Sequence, residues 1–240
     1  MKNLLALAVL FLSMVTTCAQ RNKKIKGSGN VVTIERTTSD YNGISVSGFY
    51  EVELEEGTQG KITMKGEDNI LDNIETEVNS GTLHIKSIDN VNLIPSRNEG
   101  VFITIPIDEI DKIRLSGSGD FTGKKIIKTD NLDIQVSGAR NIDLTMESDA
   151  VSVATSGSSN IRLKGNSKKI KVRSSGSSNV KAYDLEVDDA IFELSGSSNV
   201  EITVNESIRS RVSGSGNIRY HGNPQRVNSK ISGSGKVSKE

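Results

Sequence analysis

Eight aspartates, Asp120, Asp130, Asp133, Asp143, Asp149, Asp184, Asp188 and Asp189, supply the carboxylates that acid–base chemistry would need in the C-terminal half of this chain. Carboxylates gathered on one face of neighbouring strands would suit cleavage of a glycosidic bond. These are scattered instead. Only Asp188 and Asp189 are adjacent, and consecutive residues of a strand point to opposite faces. The two histidines lack a matching partner: His84 lies in the strand-like segment TLHIK and reads as an outward residue, and His221 opens the turn His221-Gly222-Asn223-Pro224. Cys18 is the only cysteine, so no disulfide can form. No zinc-ligand spacing, calcium nonapeptide or nucleophile motif occurs. The residues therefore point to no catalytic, metal-binding or cofactor-binding site, and a polysaccharide-active enzyme is only a minor alternative.

The elements that would have to position such groups are unusually legible. Seven times the chain writes Ser-Gly, a small residue, a variable residue and then Asn, Asp or Lys: SGSGD at 116–120, SGARN at 137–141, SGSSN at 156–160, 175–179 and 195–199, SGSGN at 213–217, and SGSGK at 232–236. The glycines Gly117, Gly138, Gly157, Gly176, Gly196, Gly214 and Gly233 are 21, 19, 19, 20, 18 and 19 residues apart. A period near 20 marks a repeat architecture. Between the motifs apolar residues fall at every second position (Val151, Val153; Ile161, Leu163; Ile170, Val172), which is the period of strands rather than helices. Return turns are expected at Gly165-Asn166, Tyr183-Asp184 and Asn205-Glu206. Two short strands and two turns fill each unit, whereas helical repeats need about 33 residues.

One coil of a β-solenoid fits this spacing. The expected fold is all-β: a parallel β-helix, right-handed, with coils of about 19 residues stacked roughly 4.8 Å apart, so that seven coils make a rod about 34 Å long. Low aromatic content, with no Trp, suits its thin core. Corner glycines would supply positive φ or close approach between coils. Asn141, Asn160, Asn179, Asn199 and Asn217 would form a ladder of side-chain amides up the stack.

The first half carries the same alternation without the spacing. ISVSGFYEVEL at 44–54 aligns with IQVSGARNIDL at 134–144, making Gly48 a further corner, and GSGNVVTI at 27–34 reads as another half-coil. The stretch 71–78 could be a strand entering a hairpin at Asn79-Ser80-Gly81, or a short helix; the strand is favoured. The resulting divisions are a signal peptide at 1–19, an N-terminal segment with a first half-coil at 20–40, an irregular β region at 41–115 with an inserted loop at 87–100, and regular coils at 116–240.

At the N-terminus Lys2, the apolar run Leu4–Val15 and the small-residue exit at Thr17-Cys18-Ala19 form an export signal, too short to span a bilayer. Two fates are open for Cys18: removal by cleavage after Ala19, or acylation at the lipobox-like Val15-Thr16-Thr17-Cys18, where Thr17 departs from the preferred small residue. Thirty basic residues balance 30 acidic ones, and losing the leader shifts this to 29 against 30. No basic patch stands out in the linear order, so neither nucleic acid nor a polyanionic surface is an expected partner.

The order of a leader, a GSGN element, YNGISVSGFYEVELEEG, EDNILDNIETEVNSGTLHIK, IRLSGSGDF and a run of SGSSN coils resembles the putative auto-transporter adhesin, head GIN domain family. The resemblance covers residues 27–240 and implies a β-helical fold and a place in the cell envelope or outside the cell; it carries no defined binding or catalytic residues. The expected function is thus a non-enzymatic, exported, adhesin-like module binding a glycan or surface protein in the periplasm, on the outer membrane surface or outside the cell. A structural envelope protein assembling through its ends is the alternative. Binding residues are expected where the repeat breaks: Phe49, Tyr50, Leu93, Ile94 and Phe102.

Overall fold

The computed structural model describes residues 22–97 and 99–240; the expected signal peptide at 1–19, with Cys18, lies outside the described residues. Of these residues 76% are in strands and 2% in helix, stacked in coils about 19 residues apart. Alternation is the cause. In the coil from Asn160, Ile161, Leu163, Ile170 and Val172 are at most 1% exposed, while Arg162, Lys168 and Arg173 between them face solvent.

The solenoid begins with β3 (Gly43–Gly48) and β4 (Glu51–Glu56). It continues through β10 (Lys112–Gly157), β11 (Asn160–Gly176), β12 (Asn179–Gly196), β13 (Asn199–Gly214), β14 (Asn217–His221), β15 (Arg226–Gly233) and β16 (Lys236–Lys239). Every pairing in this series is parallel. Gly157, Gly176, Gly196, Gly214 and Gly233 lie in register, one above another. The stack makes about five turns, fewer than the seven coils expected from the motifs. Backbone pairing runs on through the expected return turns, which show up instead as register slips between Arg162 and Gly165 and between Ala182 and Glu186.

The N-terminal region closes one end of the rod by reversing strand direction. Strands β7 (Thr82–Ser87) and β9 (Phe102–Ile107) extend the two walls in parallel with β3 and β4. Beyond them β6 (Ile74–Asn79) pairs antiparallel with β7, β5 (Lys61–Glu67) antiparallel with β9, and β2 (Val31–Thr37) antiparallel with β5. The segment 27–34 is therefore not a half-coil: its strand runs against its neighbour and belongs to the cap. Residues 71–78 resolve mainly as strand, preceded by a one-turn helix α1 (Asp68–Leu71). The 79–81 hairpin turns through Ser80 at φ 49° and Gly81 at φ 74°, the two positive angles that a tight hairpin turn needs. Residues 87–100 are not simply a loop, since β8 (Val91–Ile94) pairs in parallel with β1 (Lys23–Lys26).

At the other end, no strand among the described residues pairs with the outer edges of β15 and β16, and Val227 and Ile231 are 45% and 41% exposed there.

Candidate functional site

Each SGSSN corner assigns a separate task to each position. In the motif at 195–199, Ser195 and Ser197 point to solvent while Ser198 is 1% exposed. Gly196 sits at φ 99°, and a Cβ there would stand 2.5 Å from the carbonyl oxygen of Gly176 in the previous coil. That oxygen accepts from the Ser197 amide at 2.8 Å and the Ser198 hydroxyl at 3.4 Å, so the missing side chain lets consecutive corners touch. The Asn that ends each motif joins a ladder. Nδ2 of Asn217 donates to Oδ1 of Asn199, Asn199 to Asn179, Asn179 to Asn160, and Asn160 to Asn141, each at 3.1 Å. Asn141 ends the series on the Asp120 carboxylate at 2.9 Å. These amides spend their polar atoms on one another, which gives them a structural role along the stack.

A buried cation breaks the pattern. Arg140 occupies the inward motif position that Ser159, Ser178 and Ser198 fill elsewhere, and is 1% exposed. Its guanidinium donates to the carbonyls of Tyr50 (2.9 Å), Gly48 (2.8 Å) and Ser116 (2.8 Å). It reaches them past Gly119, at the matching position of the intervening coil, where a Cβ would lie 2.5 Å from the Tyr50 carbonyl. Burial pushes the Arg140 guanidinium below its ordinary value, and burial pushes the Tyr50 phenol up to about 12. Nothing in the linear sequence marked Arg140, because its partners are 90, 92 and 24 residues away.

The five N-terminal residues expected to bind divide between core and surface. Tyr50 is 0% exposed and Leu93 is 7% exposed, so both are core residues and offer no surface to a ligand: the corner between β3 and β4 turns Tyr50 inward, and β8 does the same for Leu93. Phe49 is half-buried against Tyr50, with ring centroids 5.2 Å apart. Ile94 (37% exposed) and Phe102 (46%) face solvent from strands of two different sheets. Above them Glu67, 1% exposed, clasps two loops: it accepts from the Gly29 amide at 2.6 Å, the Ser96 amide at 2.8 Å and the Ser96 hydroxyl at 2.6 Å. The Ser96 hydroxyl is the main cause that holds its carboxyl below the ordinary value.

The register sorts charges that the linear sequence intermixes. On the wall leading into each Ser-Gly corner, outward positions carry Lys112, Arg114, Lys171, Arg173, Arg209 and Arg211, with Lys230 on the last coil. Only Asp133 and Glu193 oppose them there, and Glu193 already pairs with Arg173 (2.9 Å) and Lys171 (3.3 Å). The expectation that no basic patch exists is thus corrected: strand alternation and the coil period bring cations about 20, 40 or 60 residues apart onto one face. The return-turn edge has the opposite sign. Asp111, Asp130, Glu147, Asp149, Glu186 and Asp188 line a groove there, with Lys128 and Lys168 tied to Glu147 (3.0 Å) and Asp149 (2.7 Å).

Of the scattered aspartates, Asp130, Asp149 and Asp188 share the return-turn groove, yet among the described residues no three His, Cys, Asp or Glu side chains come together as metal ligands. His84 faces outward between Ser45 and Glu77. His221 stacks on Tyr183 at 4.1 Å, and the Tyr183 hydroxyl donates to Glu240 at 2.7 Å, so this pair straps the last coils together.

Fold and surface together define a capped parallel β-solenoid with a cationic wall and an acidic edge. The chain belongs to the family described as putative auto-transporter adhesin, head GIN domain, matched over residues 40–224. Solved structures share its fold. A putative adhesin from Bacteroides fragilis NCTC 9343 is 24% identical with a TM-score of 0.83, over 90% of this chain and 100% of that one. A putative lipid binding protein from Parabacteroides distasonis ATCC 8503 is 24% identical with a TM-score of 0.74, over 91% and 100%. A putative adhesin from Parabacteroides merdae ATCC 43184 is 19% identical with a TM-score of 0.64, over 91% and 99%. At these identities the likeness is one of fold. No curated protein matches the sequence.

Proposed function

We propose that this protein is an exported, non-enzymatic, adhesin-like module that binds a glycan or a surface protein at the cell envelope or outside the cell. The observation that carries this reading is the wall of in-register outward residues, which repeats from Arg173 through Glu193 and Arg211 to Lys230 along a rigid stack. Such a wall suits an extended partner laid along it, not a small substrate enclosed in a cleft. The N-terminal region adds Phe102 and Ile94 as exposed apolar contacts beside the cap. Family membership and the leader at 1–19 support export, and no helix among the described residues is long and apolar enough to cross a membrane. The test is a glycan array with surface-protein pull-downs, using the mature chain and its Phe102→Ala variant. Failure of the folded protein to hold any glycan or surface protein overturns the reading.

One observation favours a second reading, assembly through the ends. The last coil leaves Val227 and Ile231 exposed on β15, which pairs with β13 on one edge and with no described strand on the other, whereas the first coils are capped. Light scattering of wild type and Val227→Lys/Ile231→Lys distinguishes the two: a wild-type oligomer that the variant converts to monomer supports assembly. Mass spectrometry of the mature N-terminus separates Gln20 from an acylated Cys18 as the anchoring arrangement.

A further inference from the structure

We propose that the cationic wall is a binding site for a linear acidic polysaccharide bearing uronate carboxylates; this rests on the binding-module reading above and names its ligand class. Sign is the first argument. Lys112, Arg114, Arg209 and Arg211 have no carboxylate within salt-bridge distance among the described residues, so their charge is available to a partner. Arginine forks match carboxylates in two-point hydrogen bonds, which favours a carboxylate ligand over a diffuse anion.

Shape is the second. Between Arg114 and Arg173 the wall dips, because the intervening coils present only Gln135 and Ala154 in that row and Ser137 and Ser156 beside it. The depression is a shallow groove of about 500 Å³, and the one carboxylate lining it, Glu193, is already paired with Arg173 and Lys171. Five coil steps separate Arg114 from Arg211, roughly 24 Å at about 4.8 Å per coil. A small anion would occupy a fraction of this length; a polymer with recurrent negative charges meets cations at both ends of it. The serine hydroxyls and the Gln135 amide provide donors and acceptors for sugar hydroxyls between the charges.

Composition is the third. No aromatic side chain lines this groove or the one beside it that runs from Lys112 to Arg209, so stacked nucleobases find no platform. Ile191 is the only large apolar side chain facing out there, too little for a lipid chain. The acidic return-turn edge alongside repels a polyanion and confines it to the wall.

The test uses the mature chain with polygalacturonate as probe and dextran as the neutral control, measured by calorimetry at several salt concentrations. The expected result is binding of polygalacturonate alone, weakening about tenfold or more from low to high salt. Arg209→Ser/Arg211→Ser should weaken it by a similar factor, while Arg162→Ser on the opposite wall leaves it unchanged. Serine already occupies the matching outward row at Ser45, and circular dichroism confirms that the variants fold. The proposal is overturned by no binding at low salt, by equal effects of the two variants, or by equal or tighter binding of duplex DNA or anionic vesicles. Binding of neutral glycans or of a surface protein, unaffected by Arg209→Ser/Arg211→Ser, would sink this site while the binding-module reading stands.

Discussion

The guanidinium of Arg140 donates to the main-chain carbonyl of Tyr50 at 2.9 Å, across a coil whose residue at that position, Gly119, has no side chain. The two residues are 90 apart in sequence and join the regular stack to the capped region. A buried guanidinium that donates three bonds to carbonyls is costly to disturb even though its Nε has no partner, because those three buried bonds are lost together.

Arg140→Met should therefore destabilise the protein by about 3 kcal/mol despite its apolar, similar-sized side chain. Gly119→Ala should act on the same relationship, since its Cβ would press on the Tyr50 carbonyl. Urea denaturation of both variants checks this; a loss for Arg140→Met no larger than for an exposed Arg162→Met would show that the buried contacts contribute little.

Corner glycines should differ by position. Gly196→Val combines a positive φ with a contact against the Gly176 carbonyl inside the stack, and is expected to cost about 3 kcal/mol or more. Gly233→Val also has a positive φ and would press on the Gly214 carbonyl, but no described strand stacks beyond its coil, which can shift outward, so about 1 kcal/mol is expected. Equal midpoints in a thermal or denaturant titration would contradict the corner argument.

The amide ladder should prove individually weak. Asn179→Ala removes one bond to Asn160 and one from Asn199, both at solvent-reachable positions, for about 1 kcal/mol in all. A loss as large as that from Gly196→Val would mean that the ladder, not the corner, sets coil spacing.

Acid should loosen the N-terminal cap before the coils. Glu67 has its carboxyl held below the ordinary value of 4.5, chiefly by the Ser96 hydroxyl, and Asp68 is lowered from 3.8 by Ser28 and Asn30. A folded-state value below the unfolded one means that both groups stabilise the fold above their unfolded values, and that this stabilisation is lost as pH falls through the folded ones. The amide resonances of Gly29 and Ser96 should move in that acid window. Glu67→Gln should abolish the part of the pH dependence due to Glu67; an unchanged profile would assign the transition elsewhere.

The recurrence of Ser-Gly every 18 to 21 residues, with apolar residues at every second position between, was sufficient to define a β-solenoid, because in-register parallel strands impose one residue type per row. It also located the 79–81 hairpin, where two residues must take positive φ and the sequence supplies Ser80-Gly81. Other features depend on which chain segment becomes whose neighbour, and no local pattern encodes that. Strand direction is one: residues 27–34 repeat the turn vocabulary of a coil, yet β2 runs antiparallel and caps the rod. Side-chain facing is another, since Tyr50 sits in an aromatic corner that reads as a surface anchor and is aimed inward to meet Arg140. Charge is the third. Summed along the chain it is zero, and only the coil register places Arg173 two rows from Arg211 and brings Asp130, Asp149 and Asp188 together at the return turns. A period in sequence fixes what stacks on what; the sign of the surface so made follows from the residues that happen to share a row, which becomes visible only when the rows are assembled.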